Sequence, residues 1–153
     1  MDKTGEIFRR LISEGVRKHK YCLPNVFFGR IELDVFALTN SGYTYEYEVK
    51  ISRSDFLADK NKREKHDRYS KALNKEIISG FTPNRFYYVC PEGMIAPGEV
   101  PEYAGLIYFD GNYLKEIKPA PFIHKTKILE SLYRQIVDKC YHRYIHKYQK
   151  LGV

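Results

Sequence analysis

The chain reads as a single α/β domain: a mixed, twisted sheet flanked by helices. Three observations predict it. Residues 30–38 and 43–51 alternate apolar and polar side chains around Asn40-Ser41-Gly42, the period-two pattern of two half-buried strands joined by a turn. Residues 85–90, Arg-Phe-Tyr-Tyr-Val-Cys, form a near-continuous apolar run of the kind a strand buried on both faces carries. Apolar residues also recur at helical spacing near both ends of the chain. The length of 153 residues fits one domain. A chain of this size buries roughly 70% of its unfolded surface and needs no staples.

Residues 4–18 are expected to be a helix, because Ile7, Phe8, Leu11, Ile12 and Val16 make one stripe. Thr4 is its expected N-cap, and Glu6 sits in the first turn, where the helix dipole favours an acid. Residues 21–28 read as irregular, with Pro24-Asn25 as a turn signal. After the hairpin, Ser52 followed three residues later by Asp55 resembles a capping box, so a charged helix is expected over 53–75, largely solvent-facing. Gly80 to Asn84 breaks it, the apolar strand follows, and Pro91-Glu-Gly93 ends that strand. Residues 106–109 and 113–117 read as two strands around the Asp110-Gly111 turn. Pro119 and Pro121 punctuate a linker. A long helix is expected over 124–150, where Ile128, Leu132, Ile136, Cys140, Tyr144 and Tyr148 recur every four residues and the contact face therefore rotates. This divides the chain into a core, 1–122, and a basic, Tyr-rich C-terminal helix, 123–153, packed on the core or extending from it.

Lys and Arg number 26 against 19 Asp and Glu, a net charge of +7. That favours an anionic partner, of which nucleic acid is the commonest; solubility alone is the plainer use of such charge. Cys22, Cys90 and Cys140 form no CxxC pair, so the thiols read as reduced, without a zinc knuckle. The first twenty residues hold no signal-like apolar run, and no segment approaches membrane-span length. The expected location is the cytoplasm.

The chemistry concentrates in the hairpin. Symmetry about Ser41 sets Leu33 against Val49, Val35 against Tyr47 and Ala37 against Tyr45 on an apolar face. On the other face Asp34 falls opposite Glu48, and Glu32 opposite Lys50. Two facing carboxylates repel, and a hard divalent cation between them turns the repulsion into binding. Asp34 and Glu48 are thus candidate ligands for Mg²⁺ or Mn²⁺, with the Val49 carbonyl beside them. Lys50 shares their face, placed to orient a water or offset transition-state charge, with a pKa lowered toward proton transfer. The plainer reading is a Glu32–Lys50 ion pair with Asp34 capping a turn.

Leu33-Asp34 followed by Glu48-Val49-Lys50 resembles the active-site pattern of the PD-(D/E)XK nuclease superfamily. Ser52-Arg53-Ser54-Asp55-Phe56-Leu57-Ala58-Asp59 after it resembles the corresponding block of the MmcB-like group of DNA-repair and phage proteins. Phe86 to Pro91 and Val100 to Leu106 look like that group as well, so the likeness covers roughly residues 6–118. It implies a restriction-endonuclease-like α-β-β-β-α-β core, a metal on Asp34 and Glu48, and Lys50 as the catalytic lysine. It implies a metal-dependent DNA endonuclease or structure-specific nuclease of repair or phage DNA metabolism, in a bacterial or phage-infected cell. Leu33 stands where the pattern nominally has Pro, and residues 60–84 are longer and more charged than the pattern requires.

Around this motif Glu14, Ser52, Arg53, Asp55 and Asp59 are candidates to support the site or contact phosphate. Lys60, Lys62, Lys65 and His66 are candidates to bind nucleic acid through its backbone. His142 and His146 have the spacing of a zinc pair without a third ligand. Tyr133, Tyr141, Tyr144 and Tyr148 suit packing, a homodimer contact or base stacking. The rival functions are a non-catalytic nucleic-acid-binding module on the same fold, a nuclease acting on RNA, and an interaction protein docking through the last helix. Whether the DNA is single-stranded, duplex or branched is open at the level of sequence.

Overall fold

A computed structural model describes residues 2–76 and 80–152. Helix α1 (Lys3–Lys18) starts earlier than Thr4 would set it, because Asp2 Oδ1 accepts the Gly5 N–H at 2.8 Å and caps it. Strands β1 (Tyr21–Phe28), β2 (Ile31–Leu38) and β3 (Thr44–Val49) pair antiparallel in sequence. Helices α2 (Arg53–Asp59) and α3 (Arg63–Leu73) then carry the chain across to β4 (Arg85–Pro91), which lies parallel to β3. Strand β5 (Ala104–Phe109) is parallel to β4, β6 (Leu114–Lys118) closes antiparallel, and α4 (Glu130–Lys150) follows. The six strands lie in the order β1 to β6, so the α/β expectation holds. Among the described residues no helix is long and apolar enough to cross a membrane.

The sheet is covered on both sides. Ile7 and Leu11 of α1 pack with Val35, Ala37, Tyr47, Val49, Tyr87 and Val89 on one face. The other face splits in two. Phe56 of α2 and Tyr69 and Ala72 of α3 pack with Phe86, Tyr88 and Leu106, while Ile136 of α4 packs with Val26, Phe28, Leu33, Phe36 and Leu38. Tight packing fixes the β5 strand. A Cβ on Gly105 would lie 2.4 Å from the Tyr87 ring and 2.6 Å from the Ala120 main-chain nitrogen. The ring can shift, but the backbone cannot. Gly105→Ala is expected to cost about 1–3 kcal/mol in chemical denaturation; an unchanged midpoint would mean that residue 120 does not press on β5.

Three expectations are corrected. Residues 21–28 are the strand β1 rather than irregular, because an edge strand tolerates the missing donor of Pro24 and places Asn25 at φ 51°. The helix expected over 53–75 is two helices. Lys62 leaves helical geometry at ψ 64°, and Asn61 and Lys62 N–H bond to Ala58 and Asp59 carbonyls in a tight turn. The final helix begins at Glu130 rather than at 124. Residues 119–129 are committed to the sheet end instead: Ile123 N–H bonds to Asn84 O, Ile128 N–H to Gly42 O, and the Asn84 amide to the His124 and Thr126 carbonyls.

Candidate active site

Strand β3 delivers Glu46 and Glu48, and the residue just beyond it, Lys50, to the face beneath α2 and α3 by simple alternation. The hairpin register is the one symmetric about Ser41: Val35 faces Tyr47 and Ala37 faces Tyr45. The β2–β3 ladder stops at Val35–Tyr47, one pair short of Asp34 and Glu48. The β1–β2 ladder likewise skips Asn25 and Asp34, between Pro24–Val35 and Val26–Leu33. The positive φ of Asn25 marks a kink there. Both strands change sides across it, so Leu33 joins Phe36 and Leu38 rather than sharing the face of Val35 and Ala37. Asp34 occupies the kink, and its Oδ2 accepts the Val49 N–H at 2.8 Å. Glu32 is exposed and faces Phe27 in register, so the Glu32–Lys50 pair is replaced by other partners.

Those partners form a buried ionic network. Lys50 Nζ lies 2.9 Å from Glu48 Oε1, 3.3 Å from Asp59 Oδ1 and 3.9 Å from Asp55 Oδ1. Lys65 Nζ lies 2.5 Å from Glu46 Oε1 and 3.2 Å from Glu48 Oε2. Tyr69 donates its hydroxyl to Glu46 Oε2, and Tyr88 donates to Asp59 Oδ2 at 2.7 Å. His66 Nε2 meets Asp59 Oδ2 at 3.0 Å, while its Nδ1 meets the Tyr103 hydroxyl. Lys62 closes the open side, 3.3 Å from Asp59 Oδ1 and 3.8 Å from Glu48 Oε1.

The charges are held unequally. Burial, then the negative charge of Glu48, pushes the Asp34 carboxyl up to about 6, against the Val49 N–H, Lys50 and Lys65. Burial likewise raises Glu46, opposed by Lys65. Burial also works against Asp59, but His66, Tyr88, Lys50 and Lys65 outweigh it and hold that carboxyl far below the usual range. Burial disfavours the Lys50 ammonium, yet Glu48, Asp59 and Asp55 raise its pKa overall. The neighbouring carboxylates thus favour the ammonium form of Lys50.

The other candidates separate. Ser52 caps α2 by accepting the Asp55 N–H at 3.1 Å, and Asp55 is half exposed at the edge of the network. Arg53 points away, clamped on Glu99 at 2.7 and 3.1 Å and on the Met94 carbonyl. Glu14 is not at the site. It pairs with Lys18 beside Tyr45, Tyr47 and Tyr87, on the face that α1 covers. Lys65 and His66 turn inward to carboxylates rather than outward to a ligand, so of the basic candidates only Lys60 and Lys62 are exposed. Glu46, Tyr69, Tyr88 and Tyr103 join the site unforeseen. Glu46 had a signal in Glu46-x-Glu48-x-Lys50, three charges on one face of an otherwise apolar strand.

Among the described residues no three His, Cys, Asp or Glu side chains gather as a ready metal-ligand set. A metal here would rest on Asp34, Glu48 and the Val49 carbonyl. Such a sparse set suits Mg²⁺, which keeps waters and takes its remaining oxygens from phosphate. Burial is the first cause of the raised Asp34 carboxyl and the charge of Glu48 the second, so a cation there would offset both. A cleft of about 1140 Å³ lies elsewhere, lined by Phe28, Asn84, Phe122 and His124.

No protein-family model and no curated protein matches the chain. Among solved structures it resembles a protein of unknown function from Silicibacter pomeroyi, at 19% identity and a TM-score of 0.61, over 97% of this chain and 87% of that one. At that identity the likeness speaks to the fold alone.

Proposed function

We propose that the protein is a metal-dependent DNA nuclease of the PD-(D/E)XK type, hydrolysing phosphodiester bonds at Asp34, Glu48 and Lys50. The observation that carries this reading is the meeting of the motif residues at the β2 kink: Asp34 accepts the Val49 N–H at 2.8 Å, between Glu48 and Lys50, which pair at 2.9 Å. Mg²⁺ or Mn²⁺ on these two groups would supply a polarised phosphate and a water ionised near neutral pH. Lys50, anchored on Glu48 and Asp59, presents a permanent positive charge to the oxygens that gain charge in the transition state. Asp59, bonded by His66 and Tyr88, positions that ammonium. Lys62, with a 60% exposed side chain, is free to leave Glu48 and Asp59 for the phosphate backbone. Repair or phage DNA metabolism is the setting that the sequence resemblance suggests.

One observation favours the second reading, a non-catalytic nucleic-acid-binding module. Lys50 and Lys65 already occupy both oxygens of Glu48. The experiment is cleavage of labelled single-stranded, duplex and branched DNA, with RNA alongside, in Mg²⁺ or Mn²⁺. Glu48→Gln keeps the shape and is expected to abolish cutting. Asp34→Ala and Glu48→Gln are expected to remove Mn²⁺ binding in calorimetry. Lys50→Ala is expected to spare it and slow cleavage on the order of 10²- to 10³-fold. Binding without cutting, equal in wild type and Glu48→Gln, would establish the second reading instead.

A further inference from the structure

The last turns of α4 leave the core with an unusual surface. Up to Cys140 the helix is anchored by Leu132, Tyr133, Ile136 and Cys140 against β1 and β2. From Val137 onward a second line of side chains faces solvent: Val137 (47% exposed), Tyr141 (58%), Tyr144 (62%), Tyr148 (45%) and Leu151 (66%). Their spacing of four, three, four and three residues keeps them on one stripe. The Tyr144 and Tyr148 rings are 5.8 Å apart at 34°, two neighbouring platforms on the same side. Between Lys139 and Lys150 the helix carries Lys139, Arg143, Lys147 and Lys150 with His142 and His146, and no acid.

We propose that this stripe binds single-stranded DNA, with Tyr141, Tyr144 and Tyr148 stacking on unpaired bases and Lys147 and Lys150 meeting the backbone. Charge complementarity selects the occupant. Two copies of the helix set face to face would bring together the lysines and arginines of residues 139–150 with only Asp138 beside the stripe to offset them, whereas a nucleic acid brings the missing negative charge. The side chains agree. A helix seam is built from Leu, Ile and Val, and buried tyrosine hydroxyls in one need partners. Base stacking needs only an exposed ring face and leaves the hydroxyl in water. A duplex, whose bases are already stacked on one another, offers these rings nothing. Arg143 is a tether rather than a ligand, since it donates to the Pro24 and Asn25 carbonyls and fixes the helix to the sheet. The choice of DNA over RNA rests on the function proposed above; the stacking surface itself does not.

The test is fluorescence anisotropy of a labelled oligothymidylate of about 12 nucleotides, in EDTA so that no cleavage intervenes. Tyr141→Ala/Tyr144→Ala/Tyr148→Ala is expected to bind at least about tenfold more weakly with unchanged circular dichroism. The matching triple Tyr→Phe protein is expected to bind like wild type. The chain has no Trp, so tyrosine fluorescence quenched on binding, and lost in the Ala triple, reports the stacking directly. Wild-type affinity in the Ala triple, or equal competition by duplex, would overturn the proposal. A dimer that dissociates in the Ala triple while DNA affinity stays unchanged would assign the stripe to a second copy instead. Much tighter binding of the matching RNA would overturn the choice of DNA. Failure of the nuclease reading shows separately, as absent cleavage by a protein that binds normally in this assay.

Discussion

Replacing Lys65 by Ala is expected to destabilise the protein by about 3–5 kcal/mol, a large part of what a domain of this size possesses. The ammonium is the counter-ion of Glu46, which is fully buried, and it also contacts Glu48. Lys65 is itself only 8% exposed and packs over the Phe86 and Tyr69 rings. Its removal strands a carboxylate where water does not reach, with only the Tyr69 hydroxyl as partner. The double variant Glu46→Gln/Lys65→Met removes both charges and keeps the volume, so it is expected to recover most of the loss. Urea denaturation at constant pH measures both. A loss under about 1 kcal/mol in Lys65→Ala would mean that Glu46 simply takes up a proton when its partner is gone.

Asp34→Asn is expected to do the opposite: stabilise the fold while abolishing the proposed cleavage. The Asp34 carboxyl is raised from 3.8 to about 6 in the folded protein. A group with a raised folded pKa contributes stability that is complete below its unfolded value. That contribution is lost as pH climbs through the folded value. Wild-type stability should thus fall relative to the variant between about pH 4 and pH 6. By pH 7 the variant should lead by on the order of 1–3 kcal/mol, the upper figure being reached only if Glu48 does not readjust. Asn retains an oxygen for the Val49 N–H, so the kink keeps its hydrogen bond. Thermal melts at pH 4 and pH 7 decide the matter. A variant less stable at pH 7 would show that the carboxylate belongs to the fold, and would remove the strain that supports a cation site.

The hairpin was legible because its information is local: alternation fixes the faces and the turn fixes the register, and Val35–Tyr47 and Ala37–Tyr45 follow. The kink was not, because it arises from Asn25 on a strand that Pro24 disguises, and it changes the side of Leu33 without changing the register. The charged stretch after Ser52 misled for another reason. Lys65 and His66 look like solvated residues until the α2–α3 break turns α3 onto the sheet, and only the fold brings them to Glu46, Glu48 and Asp59. Asp59 and His66, two helical turns apart in sequence, carried a faint hint of that meeting. Tyr88 and Tyr103 carried none, since their hydroxyls matter only through partners distant along the chain.

Strand β1 ends the sheet, and a sheet that ends leaves a row of peptide groups able to recruit the strand of another molecule. Here that border is guarded three times over. Pro24 removes a donor, Asn25 bends the strand out of line, and Arg143 of α4 binds the Pro24 and Asn25 carbonyls at the same spot. The same helix roofs the aromatic patch of Phe28 and Phe36 beneath it. Whatever it grips in solution, α4 also serves as a safeguard against fibre-like growth from this margin of the sheet.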